Sequence, residues 1–115
     1  MEFTDTLKKN YEFRRLYSRG KTAVTPFLVT YARKTKRRDN RIGFTVSTKL
    51  GKAVVRNRIR RRLREIYRLH EAEFSRGLEI VFVARGRAAS ASYGQLERAL
   101  LSACRKLELM RSAGP

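Results

Sequence analysis

The chain has 115 residues, 42% of them apolar, and its 28 lysines and arginines against 10 acids give a formal charge of +18. That length suits one core and excludes two, and the apolar content excludes wholesale disorder. The charge repels itself in a monomer and calls for a polyanionic partner.

Nucleic acid is the leading candidate for that partner. An acidic membrane surface is the runner-up, because a basic amphipathic helix can also lie on lipid. The longest apolar run, residues 80–84, is far short of the ~20 residues that span a bilayer. Glu2 and Asp5 precede Lys8 and Lys9 with no apolar stretch of the signal-peptide kind. A cytoplasmic protein without a membrane span is therefore expected, as a single domain over residues 1–115. Cys104 is the only cysteine and His70 the only histidine, so one chain can build neither a disulfide framework nor a Cys/His zinc site.

In chain order, Asn10 is placed to cap a short helix ending at Ser18, with Gly20 where a left-handed residue often stops a helix. Phe13 and Tyr17, four apart, share a face of it. Residues 23–33 read as an extended strand in which Phe27, Val29 and Tyr31 alternate with Leu28, Thr30 and Ala32, Pro26 marking an edge position or an interruption. Residues 34–40 read as a basic hairpin loop leading to a second strand. One side of that strand is Ile42, Phe44 and Val46. The other is Gly43, Thr45 and Ser47, either a plain solvent face or a shallow floor for an extended ligand.

Residues 52–70 have helical periodicity, with Val55, Ile59, Leu63, Ile66 and His70 within ~80° of one another; His70 reads as a helix-end residue beside the core. Residues 79–85 form a strand apolar enough to be buried on both faces. The last helix begins at Ser92, which has capping-box spacing to Gln95, and buries Leu96, Ala99, Leu100, Ala103 and Leu107. Cys104 adjoins that stripe as a small core residue rather than a nucleophile. Residues 111–115 are expected to be a disordered tail.

Between Arg56 and Arg68 stand seven arginines, at 56, 58, 60, 61, 62, 64 and 68, and a single acid, Glu65. On a helix Asn57, Arg61, Arg64 and Arg68 lie opposite the apolar stripe with Arg60 beside them. Arg56 and Arg58 flank the stripe, and Arg62 falls almost inside it and has to snorkel. A merely solvated face would mix signs, since arginines three and four apart repel. One sign, carried by guanidinium forks that bridge phosphate oxygens and stack on bases, points to a folded phosphate backbone.

The segment Lys49-Leu50-Gly51-Lys52-Ala53-Val54-Val55-Arg56-Asn57-Arg58-Ile59-Arg60-Arg61 resembles the signature of bacterial ribonuclease P proteins, in which an Arg-Asn-Arg triplet opens a basic helix. Residues 10–17 are similar to the family's N-terminal aromatic helix, and residues 41–47 and 81–85 to the strands on either side of the motif. The resemblance implies a single α+β domain, ribosomal protein S5 domain 2-like, with a central mixed sheet, an N-terminal helix, an Arg-rich crossover helix and a C-terminal helix. It also implies a left-handed crossover, where ~98% of parallel units cross right-handedly.

On this reading Lys49, Lys52, Arg56, Asn57, Arg58, Arg60, Arg61, Arg64, Arg68 and Arg85 meet the catalytic RNA, with Arg87 a further candidate beside Gly86. The family's cleft between first helix and sheet holds the single-stranded 5′ leader of precursor tRNA. Its positions match Phe13, Tyr17, Leu28 and Thr30, and an aromatic is common where Thr30 stands, so one stacking contact is missing or supplied from elsewhere. Phe13 and Tyr17 have a second reading, as a staple of the helix to the core.

Metal-dependent phosphodiester hydrolysis needs converging carboxylates, and the ten acids are scattered. No catalytic residue is expected on the chain, which would be an accessory subunit of an endoribonuclease. The resemblance implies that the RNA holds magnesium and cleaves off the leader, while the protein screens phosphate repulsion and lowers the magnesium requirement. Gly51 and Gly86 lack the spacing of a nucleotide loop and serve turns. Two other classes are a structural RNA-binding protein, which needs no aromatic cleft, and a helix-turn-helix DNA binder. The latter lacks a partner helix, because the segment before Lys49 reads as strand; no DNA is expected.

Overall fold

The computed structural model describes residues 1–111. In chain order it contains β1 (Thr4–Thr6), α1 (Asn10–Arg19), β2 (Lys21–Val24), β3 (Leu28–Lys34), β4 (Asn40–Thr45), α2 (Ala53–His70), β5 (Leu78–Ala84) and α3 (Tyr93–Lys106). The strands form one mixed sheet in the order β1-β4-β5-β3-β2. β4 lies parallel to both β1 and β5, and β3 is antiparallel to β5 and β2. α2 is thus the crossover between two adjacent parallel strands.

The expected hairpin between β3 and β4 does not form, because β5 inserts between them. β5 carries the apolar run, is buried on both faces except at Val83, and takes the centre of the sheet, where a two-sided apolar strand loses most water. Residues 35–39 therefore pass the end of β5: Thr35 N–H donates to the Gly77 carbonyl at 2.7 Å. Gly77 has φ +80°, and a Cβ there would lie 2.6 Å from the Arg37 carbonyl oxygen.

The single strand read at residues 23–33 is two strands. Pro26 sits in the turn between them, where the Thr25 hydroxyl accepts from the N–H groups of Phe27 and Leu28. β1, only three residues long and polar, carries no alternating signal and was not legible.

The helices divide between the two faces. Ile59, Leu63, Ile66 and Tyr67 of α2 and the apolar stripe of α3 share one core with Leu28, Ala32, Ile42, Ile80 and Phe82. Leu16 of α1 buries against Val81 and Leu7 on the other face, with Phe13, Tyr31 and Val83 around them. α3 is capped as expected, with the Ser92–Gln95 box formed, and burial pushes the Cys104 thiol up to about 12. α1 is capped differently: Lys9, not Asn10, is the cap residue, and its N–H donates to the Glu12 carboxylate at 3.1 Å. Gly20 is extended (φ −74°) rather than left-handed; a Cβ there would meet the Leu16 carbonyl at 2.6 Å.

Two polar clusters fix these layers. Asn40, wholly buried, donates to the Ser75 carbonyl (2.9 Å) and to the Tyr67 hydroxyl (3.2 Å) and accepts from Leu78 N–H (3.0 Å). Tyr67 in turn bonds Thr4, so one asparagine joins β4, β5 and α2 and reaches β1 through a tyrosine. Under α1, buried Glu79 pairs with Arg15 and Arg33, and buried Glu12 with Arg41. Burial alone would raise the Glu12 pKa, but the Lys9 N–H and the Arg41 guanidinium hold it below the usual carboxylate value. At the C-terminal end, Arg111 N–H donates to the Glu73 carbonyl at 2.7 Å. The rest of the expected tail, residues 112–115, lies outside the described residues.

Candidate nucleic-acid interface

The α2 arginines fall into three groups. Arg56, Arg58, Arg60 and Arg62 donate to the backbone carbonyls of Gly51, Ala89, Val46 and Ala91, at 3.2 to 3.5 Å. Carbonyls hold a guanidinium in place without cancelling its charge, so these four are positioned and still cationic. Arg62 reaches out of the apolar stripe in this way, as snorkelling requires. Arg61 and Arg64 are exposed, with no salt-bridge partner among the described residues. Arg68, counted with the ridge in the sequence, is paired with Glu65 at 2.6 Å, and that bond holds the Glu65 carboxyl below its usual pKa.

Asn57 is exposed and accepts from Arg60 at 3.4 Å. Lys49 lies in the 3-10 turn Thr48–Leu50, where the Ser47 hydroxyl accepts its N–H, and Lys52 caps α2. Both lysines are exposed at the start of the ridge. Arg85 stands apart from α2: its guanidinium donates to the Thr25 carbonyl at 2.8 Å, beside the β2–β3 turn.

On the opposite face of the sheet, α1 and the strands enclose a groove of about 450 Å³ lined by Asn10, Phe13, Arg14, Tyr17 and Thr45. Phe13 is half-buried with its ring seated on Gly43, where a Cβ would come within 2.6 Å of it. Tyr17 is 41% exposed; its ring meets Tyr31 edge-on at 5.0 Å, and its hydroxyl bonds Thr45 at 3.2 Å. Phe13 thus does staple the helix to the sheet, while Tyr17 remains open to a ligand. The expected floor is smaller than the sequence suggested. Phe13 covers Gly43, Ser47 is used in the turn, and Thr45 alone lines the groove.

Leu28 and Thr30 do not belong to the cleft. Both are wholly buried on the face packed by α2 and α3, and Thr30 Oγ1 has no hydrogen-bond partner among the described residues. Side chains alternate along a strand, so a shift of one residue moves a position to the other face. The cleft side of β3 carries Val29 and Tyr31, and β5 adds Val83. Tyr31, one residue on from Thr30, places an aromatic ring on that side, edge-on to Tyr17. The alternation of Phe27, Val29 and Tyr31 was visible in the sequence, but which face α1 would cover was not.

Among the described residues no three His, Cys, Asp or Glu side chains converge as a metal would require. No helix there is long and apolar enough to cross a membrane, and the apolar stripe of α2 is buried in the core rather than free for lipid. α2 follows a strand and a short turn, not the first helix of a helix-turn-helix.

The Ribonuclease P family model matches residues 1–108. The chain belongs to the ribonuclease P protein family. It is 40% identical over 113 residues to the ribonuclease P protein component of Alkaliphilus oremlandii, covering 98% of this chain and 99% of that one. With the component of Thermoanaerobacter sp. it shares 44% identity over 94 residues, 82% of this chain and 81% of the relative. Among solved structures, the Staphylococcus aureus ribonuclease P protein superposes with a TM-score of 0.85 at 30% identity, over 92% of this chain and 97% of that one. The Thermotoga maritima protein gives 0.77 at 26% identity, over 85% and 93%.

Proposed function

We propose that the chain is the protein component of a ribonuclease P ribonucleoprotein, an endoribonuclease complex that processes tRNA in the cytoplasm. It binds the catalytic RNA through the α2 ridge and the 5′ leader of precursor tRNA through the α1 groove. The observation that carries this reading is how closely the two surfaces meet. Thr45 takes the Tyr17 hydroxyl inside the groove, and the next residue, Val46, holds Arg60 of the ridge through its carbonyl. Adjacent residues of one strand end thus link the two surfaces, Thr45 facing the groove and Val46 holding the Arg60 side of the ridge.

In this reading magnesium and the cleavage chemistry belong to the RNA subunit, and the chain supplies no catalytic group. Its own work is binding and screening. Carbonyl-held arginines neutralise phosphates without reorganising, which lowers the magnesium needed to bring substrate to the RNA. Reconstitution with a bacterial ribonuclease P RNA at low magnesium tests this. Precursor cleavage should depend on the protein, and precursor should bind more tightly than mature tRNA. Equal affinity for the two would remove the leader from the reading, and protein-independent cleavage at low magnesium would remove the screening.

A further inference from the structure

The groove does not end where α1 stops covering the sheet. One cross-strand row, Thr45–Val83–Val29–Val24, runs from the α1 groove to the free edge of the sheet at β2. α1 covers the neighbouring row instead, with Phe13 on Gly43 and Tyr17 on Tyr31. Val24, at the outer end, is 58% exposed, and Val29 and Val83 are half-buried. Around the β2 edge from Val24, on the side of the sheet packed by α3, lies a second groove of about 500 Å³ between the β2–β3 turn and α3, lined by Pro26, Phe27, Gln95, Arg98 and Ser102.

We propose that this second groove is a distal subsite for single-stranded leader RNA, taking nucleotides farther from the cleavage point than those held by Tyr17. The inference rests on the leader reading above. Its own support is chemical. The connecting row is apolar and free of acids. At its end the exposed Arg87 lies over the Phe27 ring at 5.6 Å, leaving the outer side of a guanidinium plane for a base to stack on. Arg98 is exposed and has no salt-bridge partner among the described residues, so it is available to a phosphate. Stacking surfaces interleaved with unpaired guanidinium groups are what a sequence-tolerant single-strand site requires, and an apolar peptide would leave those cations unused.

The length also fits. Three strand spacings of ~4.8 Å separate Thr45 from Val24, ~14 Å in all. At ~3.4 Å per nucleotide when stacked, and about twice that when extended, the row takes roughly two to four nucleotides. The ridge lies at the Thr45 end, so the strand leaves the catalytic RNA there and reaches the β2 edge last.

The test is a leader series lengthened one nucleotide at a time, with precursor affinity measured in the reconstituted holoenzyme for the parent protein, Tyr17→Ala, Arg98→Gln and Phe27→Leu. The last keeps an apolar side chain on the core, and thermal unfolding of each free protein checks the fold. The parent should gain affinity in two stages, the first lost in Tyr17→Ala. The second, about tenfold, should be lost in Arg98→Gln and Phe27→Leu while short-leader substrates bind as before. No dependence on leader length at all would defeat the leader reading itself. A first stage with no second, or a second that survives both groove substitutions, would overturn the subsite alone and leave the groove to another occupant such as an acidic protein segment.

Discussion

Gly43→Ala puts one methyl group between α1 and the sheet. Its carbon would lie 2.6 and 2.8 Å from the Cε1 and Cζ atoms of Phe13, where carbon atoms ordinarily rest ~3.5–4.0 Å apart. The ring has to withdraw by roughly 1 Å, and α1 is not free to follow. Arg15 and Arg33 clamp Glu79, Arg41 clamps Glu12, and Tyr17 is tied to Thr45. Overpacking of this kind costs about 1–3 kcal/mol, which at ~4 °C per kcal/mol for a domain of this size lowers the melting temperature by roughly 4–12 °C. Whatever movement of α1 these ties do allow draws Tyr17 away from Tyr31, which meets it edge-on at 5.0 Å, so the preference for precursor over mature tRNA should fall in proportion. Thermal unfolding of the free protein and paired affinity measurements in the holoenzyme give the two readings. Adding Phe13→Leu removes the ring from the clash, and the double variant should lose less stability than the two single losses summed. A Gly43→Ala protein that melts within about 1 °C of the parent and keeps its full leader preference would refute the argument that this close seat shapes the groove.

Three further outcomes are expected. Replacing Arg61 and Arg64 with Ala should flatten the logarithmic salt dependence of RNA binding by ~0.7–0.9 per lost phosphate contact, whereas Arg68→Ala, whose charge Glu65 already partners, should flatten it less; equal slopes in all variants would count against the ridge. Thr30→Val removes a buried hydroxyl that has no partner and should raise stability by about 1 kcal/mol in urea unfolding, with leader affinity unchanged; a loss of leader affinity would return that side chain to the cleft. His70 bonds Glu97 and Glu73. The Glu97 bond chiefly, with Glu73 assisting against burial, raises its pKa above the usual 6.5. The stabilisation is therefore full below the unfolded value and is lost as pH rises through the higher folded one. The stability gap between the parent and His70→Gln should be widest near about pH 6 and close as pH rises; a gap that widens with pH would reverse the assignment.

Much of this protein was legible along the chain because it depends on local periods and on composition. The helical period of residues 52–70, the Ser92 cap, the two-sided apolar strand at β5 and the one-sign arginine face are each properties of a short window, and the charge names a polyanion whatever the fold. Pairing order was not legible. β5 enters between β3 and β4 because burying an apolar strand on both faces outweighs the local advantage of a hairpin, a comparison that no window of sequence contains. The cleft depended on the same kind of choice. Strand alternation divided Leu28 and Thr30 from Val29 and Tyr31, but only the packing of α1 against one face, held by Glu12 and Glu79 and admitted by the bare Cα of Gly43, decided which set lies on the groove side. The ridge was likewise visible as seven arginines. Tertiary contacts set Arg58, Arg60 and Arg62 on the carbonyls of Ala89, Val46 and Ala91 and left Arg61 and Arg64 without an acid among the described residues, because those partners come from whatever backbone the fold brings within reach, whereas Arg68 and Glu65, three apart on α2, pair through local spacing alone.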